Sequence, residues 1–343
     1  MKAIALYKYL PIDHEESFVN VLVPMPVPAG RDLLVRVKAV SVNPVDTKVR
    51  APKDKVEAEP KILGWDAAGI VEAIGSDVSL FAVGDEVYYA GVITRPGCNS
   101  EYHLVDERIV GRKPRTLSFE EAAAMPLTTI TAWEALFDRL GIAPQKTAAN
   151  QVSTVLIIGG SGGVGSITIQ LAKHVAGLHV IATASRDESA KWCREMGADA
   201  IINHHRPFSE ELKSIGINEV DFILCYNSIE QHIQNMVDVI KPQGKICTIV
   251  STKNNQPINM NLFQTKSVTF CWELMFTRPM FNTPDVKSQH TLLNKVAQLL
   301  EEGVLRTTLT EQYGVLTADN LRRAHARIET GTMIGKAVLS GIE

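Results

Sequence analysis

A glycine-rich turn that follows an apolar run is the feature that most constrains the fold of this chain. Residues Val152–Ile158 are rich in β-branched side chains and predict a buried strand, and Ser166–Ala176 predicts a helix. Between them, Gly160, Gly162 and Gly165 form G-x-G-x-x-G. The first glycine permits a tight turn, the second lets a pyrophosphate approach, and the third lets the helix pack closely on the strand. We predict a dinucleotide site whose phosphates lie on the helix start; the alternative is a glycine loop without a ligand. The predicted phosphate-binding residues are Gly160, Gly162, Gly163, Val164 and Gly165.

The end of the next strand selects the cofactor. NAD sites usually place an acidic residue there for the ribose 2′-hydroxyl, but here Val180–Thr183 leads to Ser185 and Arg186. Ser185 can donate to a 2′-phosphate, Arg186 can bind it bidentately, and Lys191 adds positive charge. We therefore predict NADPH rather than NADH. Two alternatives stay open: Arg186 as a solvated surface residue, and Asp187 in the NAD role if the strand ends later.

The pattern of elements changes along the chain. Up to about residue 115, short β-type runs separated by turns predict an all-β barrel or sandwich. Ser118 followed three residues later by Glu121 has the spacing of a capping box and predicts a helix start. From about residue 152, short apolar strands alternate with helices, which predicts a parallel sheet covered on both faces. The C-terminal residues do not extend this series, and we predict that they return to the first domain.

Charge and cysteine usage exclude several classes of protein. The chain has 343 residues, with 35 Lys and Arg against 38 Asp and Glu, so it presents no basic field for nucleic acid. Five dispersed cysteines without a C-x-x-C motif are typical of reduced thiols in the cytoplasm. No apolar run approaches the length of about 18 residues that a membrane span requires. We predict a cytoplasmic protein without a nucleic-acid or membrane partner.

Six segments carry a resemblance to a known family: Ser41–Asp46, Gly64–Val71, Val83–Val87, Leu117–Ala123, Gly162–Gly165 and Gly335–Val338. Together they resemble the medium-chain dehydrogenase/reductase superfamily and, within it, the quinone oxidoreductase-like branch that includes zinc-type alcohol dehydrogenase-like proteins. The resemblance covers nearly the whole chain. It implies an α/β protein with a GroES-like β-barrel catalytic domain and a Rossmann domain with a doubly wound parallel sheet. The implied boundaries are 1–126 for the catalytic domain, 127–267 for the NADP-binding domain and 268–343 for the return to the catalytic domain. A homodimer or homotetramer is also implied.

The resemblance also locates the positions of the family's zinc ligands. The cysteine ligand corresponds to Asn43 and the histidine ligand to Trp65, so both are lost, and the four clustered cysteines of the structural zinc lobe are absent from the sequence. Asp46 and Asp66 alone make a poor zinc site. We predict no bound metal.

Without a Lewis acid, reduction of a conjugated carbonyl is easier than oxidation of a simple alcohol, because conjugation spreads the incoming charge onto oxygen. We predict a zinc-independent NADPH-dependent oxidoreductase that transfers hydride to a small molecule, a quinone or an α,β-unsaturated carbonyl. The alternatives are a zinc alcohol dehydrogenase with atypical ligands and a non-catalytic NADPH-binding protein. The proton would come from solvent or a nearby hydroxyl. Tyr88 and Tyr89 are possible donors, although alternation predicts that one of them is exposed.

Four residues are implied in catalysis by the resemblance. Asn43 and Asp46 would orient the nicotinamide ribose and the substrate, or simply form a turn. Trp65 would fill the space of the metal and offer a stacking wall, or pack in the core. Thr128 would place a hydroxyl near the nicotinamide, or serve as a satisfied helix-end residue.

Four further residues are expected near the cofactor. His204 matches a family position near the adenosine, with a surface histidine as the alternative. Asn227 and Ser251 follow the fourth and fifth strands, on the ligand side of a parallel sheet. Lys336 lies in the closing motif near the cofactor, with a solvated lysine as the alternative.

Overall fold

The computed structural model describes residues 1–253 and 256–342, which form two compact units. The first comprises Met1–Ile130 and the chain from Phe276 onward, and the second comprises Thr131–Met275. The first unit is therefore discontinuous in sequence.

Strands dominate the chain up to Arg112, and strands alternate with helices in the second unit. The strands are β1 Lys2–Tyr9, β2 Val19–Leu22, β3 Asp32–Val42, β4 Lys53–Ile62, β5 Ala67–Ile74, β6 Glu86–Tyr89, β7 Tyr102–Asp106, β8 Val110–Arg112, β9 Thr154–Ile158, β10 His179–Thr183, β11 Ala200–Ile202, β12 Val220–Cys225, β13 Ile240–Thr248, β14 Thr269–Trp272, β15 Leu309–Val315 and β16 Lys336–Ser340. The α-helices are α1 Pro44–Arg50, α2 Phe119–Ala123, α3 Pro126–Trp133, α4 Ala148–Gln151, α5 Gly163–Gln170, α6 Asp187–Glu195, α7 Phe208–Ser214, α8 Ile229–Val239, α9 Thr277–Phe281, α10 Ser288–Glu301 and α11 Ala318–Glu329. Single turns of 3₁₀-helix lie at Glu15–Ser17 and Glu107–Ile109, a longer 3₁₀ segment at Met260–Lys266, and π-helical turns at Glu134–Arg139 and Leu171–Ala176.

The first unit is built on two mainly antiparallel sheets. One has the order β2-β1-β4, and the other has the order β15-β16-β3-β5-β6-β8, with β7 also paired to β3. The C-terminal strand β16 pairs antiparallel with β3, so that Ala337 lies opposite Val42. This pairing brings the closing motif beside the segment that contains Asn43.

The helix start at Ser118 forms the predicted capping box. The Ser118 hydroxyl accepts the N–H of Glu121 at 3.1 Å, and the Glu121 carboxylate accepts the N–H of Ser118 at 2.9 Å. Two N–H groups that a helix start leaves without partners are thus satisfied locally, which is why this element could be predicted from spacing alone.

Tyr88 and Tyr89 are both buried, so the expectation that one is exposed is wrong. Strand β6 lies inside its sheet, between β5 and β8, and both of its faces are covered. The Tyr88 hydroxyl donates to the carbonyl of Leu293 in α10 at 2.6 Å. The Tyr89 ring stacks on His103 with 5.5 Å between ring centroids. Burial raises the pKa of both tyrosines.

The second unit contains a six-stranded parallel sheet in the order β11-β10-β9-β12-β13-β14. Numbered within this unit, the order is 3-2-1-4-5-6, which is the doubly wound Rossmann arrangement. The prediction of a parallel sheet with a doubly wound fold is confirmed. The topological switch lies between β9 and β12, where the two halves of the sheet diverge.

The sixth strand lies beyond residue 268, where the chain was expected to return to the catalytic domain. Strand β14 pairs in parallel with β13, with Cys271 opposite Cys247, and so extends the Rossmann sheet rather than returning to the first unit. Its short run of four residues follows a long connection, so the βα rhythm that marks the other strands is missing there.

Among residues 1–253 and 256–342, no helix is both long and apolar enough to cross a bilayer.

Candidate active site

A fully buried network of polar side chains lies in the first unit, at the end of β3. The Lys336 ammonium donates to an Asp66 carboxylate oxygen at 3.0 Å, to the carbonyl of Val42 at 3.3 Å, and to the Asn43 side-chain oxygen. The Asn43 amide in turn donates to the same Asp66 oxygen at 3.1 Å, and the other Asp66 oxygen accepts the Leu127 N–H at 3.1 Å. Lys336 is 3% exposed and Asp66 is 0% exposed, so this is an ion pair removed from water.

The hydrogen bonds of Lys336 exclude the alternative of a solvated lysine. An ammonium has three N–H donors, and three acceptors of the first unit already occupy them. Lys336 therefore serves in the structure as a fixed internal cation that balances Asp66, rather than as a solvated lysine.

Asp46 joins this network through the backbone of Asn43. One Asp46 carboxylate oxygen accepts the Asn43 N–H at 2.6 Å, which closes a capping box at the start of α1. The other oxygen, Oδ1, is buried and has no hydrogen-bond partner among the described residues. Burial raises the pKa of Asp46 to about 7, against smaller lowering effects of the Asn43 hydrogen bond and Lys336. Asp46 can therefore carry a proton near neutral pH.

Trp65 and Thr128 are both buried in the first unit. Trp65 contacts Phe276 edge to face, with ring centroids 6.3 Å apart and an interplanar angle of 77°. The Thr128 hydroxyl donates to the carbonyl of Met125 at 3.2 Å, within its own helical turn. The neighbouring Thr129 hydroxyl, which the sequence analysis did not single out, is buried without a hydrogen-bond partner among the described residues.

The partnership of Asp66 with Lys336 is the part of the site that sequence reasoning missed. The two residues are 270 positions apart. Asp66 lies in a motif that carried the family resemblance, and Lys336 lies in another, but nothing in their local patterns indicates that they meet. The only available signal was that each is a charged residue between apolar neighbours of a strand segment.

The glycine turn of the second unit has the geometry of a phosphate cradle. A Cβ on Gly160 would lie 2.7 Å from the Ala182 Cβ, and one on Gly165 would lie 2.3 Å from the Gly159 carbonyl, so both positions require glycine for internal packing. A Cβ on Gly162 would meet nothing closer than that carbonyl at 3.7 Å. Gly162 is the N-cap of α5, and Gly163, Val164 and Gly165 supply the first N–H groups of that helix. The side of Gly162 is therefore open to a ligand that approaches the helix start, which fits a dinucleotide pyrophosphate.

Side chains around the turn hold it in place. The Gly159 N–H donates to the Thr183 hydroxyl at 3.1 Å, which ties the turn to the end of β10. The Trp192 indole donates to the Ser166 hydroxyl at 2.8 Å, and that hydroxyl donates to the Gly162 carbonyl at 2.7 Å. These supports come from positions that spacing rules do not reveal.

The residues predicted to select the cofactor follow the strand ends as expected from their places in the sequence. Ser185 and Arg186 are exposed between the end of β10 and the start of α6. Lys191 is exposed on α6, 4.0 Å from Glu195. No acidic residue occupies the strand end, because Asp187 is the first residue of α6.

The remaining three cofactor-site predictions lie at the carboxyl ends of β11, β12 and β13. His204 is partly buried, its ring centroid is 4.4 Å from that of His205, and burial lowers its pKa. Asn227 and Ser251 are exposed just after β12 and β13. All three lie at the sheet edge where doubly wound folds bind ligands.

The donor set of the first unit does not fit a zinc ion. In the part of the chain that the structure describes, no three His, Cys, Asp or Glu side chains are placed to share a metal. Asn43 and Trp65 offer an amide and an indole where thiolate and imidazole ligands would be needed. Asp66 is already neutralised by an ammonium at 3.0 Å. Cys98 donates to the Asp66 carbonyl at 3.6 Å and His103 is a strand residue bonded to Tyr89, so neither supplies a missing ligand.

The second unit has a Rossmann sheet with an open glycine cradle, and the first is a barrel-type unit with a buried polar network. This combination defines a two-domain oxidoreductase of the nicotinamide-dependent type. Comparison with known proteins agrees with this class. Residues 29–128 match the family model of the alcohol dehydrogenase GroES-like domain, and residues 163–287 match that of the zinc-binding dehydrogenases.

Relatives of known sequence and structure specify the family. A zinc-type alcohol dehydrogenase-like protein of Staphylococcus epidermidis is 42% identical over 99% of both chains. The crystal structure of a Rhizobium etli protein named as a zinc-dependent alcohol dehydrogenase is 49% identical, covers 100% of this chain and 98% of its own, and has a TM-score of 0.94. The chain belongs to the medium-chain dehydrogenase/reductase superfamily, in its quinone oxidoreductase-like branch.

Two further relatives carry more specific names. A 2-methylene-furan-3-one reductase of Solanum lycopersicum is 31% identical over 100% of this chain and 79% of its own. The quinone oxidoreductase of Escherichia coli, solved in complex with NADPH, is 26% identical over 99% of this chain and 100% of its own, with a TM-score of 0.81.

Proposed function

We propose that this protein is a zinc-independent, NADPH-dependent reductase of quinones or α,β-unsaturated carbonyl compounds. The observation that carries the proposal is the buried Lys336–Asp66 ion pair with Asn43 beside it. A carboxylate held by an ammonium at 3.0 Å inside the protein is a poor ligand for a divalent cation, since binding would require breaking a buried ion pair.

The absence of a suitable set of zinc ligands among the described residues favours a conjugated electrophile as the substrate. A simple alcohol requires a Lewis acid or a base to remove its proton, whereas an enone or quinone spreads the incoming charge onto its oxygen. The names of two relatives, the 2-methylene-furan-3-one reductase of Solanum lycopersicum and the quinone oxidoreductase of Escherichia coli, support this choice of substrate class.

NADPH supplies the hydride when it is bound, and the protein supplies binding and orientation. Gly162 leaves room for the pyrophosphate at the start of α5, and the first N–H groups of that helix face it. Ser185 and Arg186, exposed after β10, hold the 2′-phosphate. Asn43 and Asp46, fixed by the network around Lys336, orient the nicotinamide ribose and the substrate. With a pKa near 7, Asp46 can hold a proton at its unpartnered oxygen.

The test is a steady-state assay of the purified protein against panels of quinones, enones and simple alcohols, with NADPH and NADH compared, combined with metal analysis of the same sample. We expect reduction of at least one conjugated substrate class with NADPH preferred, less than about 0.1 zinc per chain, and no loss of activity on treatment with a chelator.

About one zinc per chain, with activity lost to the chelator, would contradict the proposal and support an alcohol dehydrogenase with atypical ligands. Tight NADPH binding without turnover of any panel member would instead support a non-catalytic nucleotide-binding protein. The family resemblance extends the proposal to a homodimer or homotetramer, which light scattering on the eluting protein would test, and the dispersed cysteines extend it to a cytoplasmic location.

A further inference from the structure

The indole N–H of Trp65 is a buried hydrogen-bond donor without an acceptor. Trp65 is 1% exposed, and its Nε1 has no hydrogen-bond partner among the described residues. An indole N–H can only donate, and leaving such a group buried and unpaired costs about 1–3 kcal/mol. By contrast, the Trp192 indole donates to Ser166 at 2.8 Å. A donor left unpaired at this cost, in a residue beside the Asp66 network, indicates a partner that arrives with a ligand.

The surroundings of Trp65 fix the orientation of its ring. Phe276 packs edge to face against the indole. A Cβ added at Gly91 would lie 3.8 Å from Trp65 Cδ1, which is the ring carbon bonded to Nε1, and 3.4 Å from the His103 ring. Gly91 has a φ of +79°, which favours glycine. The indole edge next to the N–H therefore faces a glycine, with no side chain at that position.

Two other polar groups of the first unit, Lys336 and His103, are already engaged. Lys336 uses its three N–H donors on Val42, Asn43 and Asp66. His103 lies between the Tyr89 hydroxyl at 3.2 Å and the Pro96 carbonyl at 3.0 Å. Burial lowers the pKa of His103 to about 4, so its ring is neutral and supplies no cation for a substrate. Trp65 therefore retains a donor that this network does not use.

We propose that the Trp65 indole N–H binds the carbonyl oxygen of the substrate and stabilises the negative charge that develops there, in place of a metal ion. This inference rests on the proposed function. Hydride would leave the nicotinamide C4–H bond of bound NADPH, which would be oxidised to NADP⁺, and would form a C–H bond at the β-carbon of an enone. The electron pair of the carbon–carbon double bond would shift, and the carbonyl oxygen would take up the charge. A proton from water would then bond to the α-carbon and restore the carbonyl, leaving hydroxide in the solvent. A fixed donor aimed at that oxygen in a dry site stabilises the transition state more than the ground state.

Two variants remove the donor. Trp65→Phe keeps an aromatic ring but is smaller, whereas site-specific replacement of Trp65 by 3-benzothienylalanine exchanges the N–H for sulfur and keeps the shape. Trp272→Phe, at a tryptophan that is 53% exposed, is the matched control. Loss of one such donor lowers kcat by about 10²- to 10³-fold in enzymes with oxyanion sites, and we expect a loss of about 10²-fold for both Trp65 variants.

Additional readouts separate a catalytic role from a packing role. We expect KM for the enone or quinone to change less than about threefold, because the interaction strengthens mainly in the transition state. The melting temperature and NADPH affinity of the benzothienyl variant should match those of the wild type. The Trp65 indole ¹H–¹⁵N resonance should move when the ketone product is added to the wild-type protein with NADP⁺.

The outcomes distinguish this inference from the proposed function. If the wild type reduces conjugated carbonyls and the benzothienyl variant does so with kcat within about threefold, the assignment of Trp65 is overturned while the proposed function stands. If the wild type reduces no member of the panel, the proposed function fails and this assignment fails with it. Should Trp65→Phe not fold, the benzothienyl variant alone decides.

Discussion

Replacing Lys336 with methionine tests whether its ion pair with Asp66 organises the first unit. Methionine keeps much of the length and apolar stem of lysine but removes the ammonium, which leaves the Asp66 carboxylate buried with only the Asn43 and Leu127 donors. Breaking a buried pair from one side costs about 3–5 kcal/mol. At about 2–4 °C per kcal/mol for a domain of this class, the melting temperature should fall by about 6–20 °C.

The assay is thermal unfolding followed by circular dichroism, with two comparison variants. Lys8→Met removes an exposed pair with Glu16 at 3.5 Å and should shift the melting temperature by less than about 4 °C, because surface pairs contribute about 0–1 kcal/mol. Lys336→Met/Asp66→Asn removes both charges and should recover most of the loss, since the destabilisation comes from the unpaired carboxylate.

The pH dependence of Lys336→Met gives an independent check. Without the ammonium, which lowers the pKa of Asp66 in the wild type, burial raises that pKa further. The variant then takes up a proton on folding, so its deficit relative to the wild type should shrink as the pH falls. A melting temperature within about 2 °C of the wild type at neutral pH, or no recovery in the double variant, would refute the reasoning.

Three further predictions concern the cofactor and Asp46. Arg186→Ala should weaken NADPH binding by about 10- to 100-fold and leave NADH binding nearly unchanged in calorimetry, because the lost contact is to the 2′-phosphate; equal losses for both would contradict the assignment. Gly162→Val should abolish dinucleotide binding with little change in melting temperature, because a Cβ at Gly162 has open space and the φ of −71° suits any residue. Gly165→Ala should instead destabilise the fold, because a Cβ at Gly165 would lie 2.3 Å from a carbonyl oxygen. Unchanged dinucleotide affinity in Gly162→Val would remove the phosphate-cradle assignment. The pKa of Asp46 rises from 3.8 to about 7 on folding, so between these pH values the folded protein binds a proton that the unfolded chain has lost. The free energy of unfolding of the wild type, measured with urea, should therefore fall relative to that of Asp46→Asn by about 1.4 kcal/mol per pH unit from pH 4 to 7 and level off above. A difference between the two proteins that does not change with pH would show that Asp46 is not protonated.

The elements of the second unit could be predicted from short stretches of the sequence. The strand predicted at Val152–Ile158 and found at Thr154–Ile158, the glycine spacing of the turn, and the alternation of short apolar strands with helices each depend on steric rules over a few residues. The capping box at Ser118 was readable for the same reason. Strand β14 was not, because it is short and its place beside β13 depends on pairing across a long connection.

In the first unit, the sequence indicated candidate site residues but not their hydrogen-bond partners. Asn43, Asp46, Trp65 and Lys336 stood out as substitutions or motif positions, yet their patterns left open a turn, a core residue or a solvated lysine. The structure decided for Lys336 by making it the buried counter-ion of Asp66.

Short-range periodicity and turn sterics are thus written into consecutive residues, and they determined the Rossmann unit and its glycine cradle. Which charges lose their water and which donors stay unpaired depends on strands that meet only after the chain has folded, as when β16 pairs with β3 and carries Lys336 to Asp66 over 270 positions. Burial changes the free energy of a charge or an N–H group by several kcal/mol according to its partners, and only the tertiary structure supplies those partners.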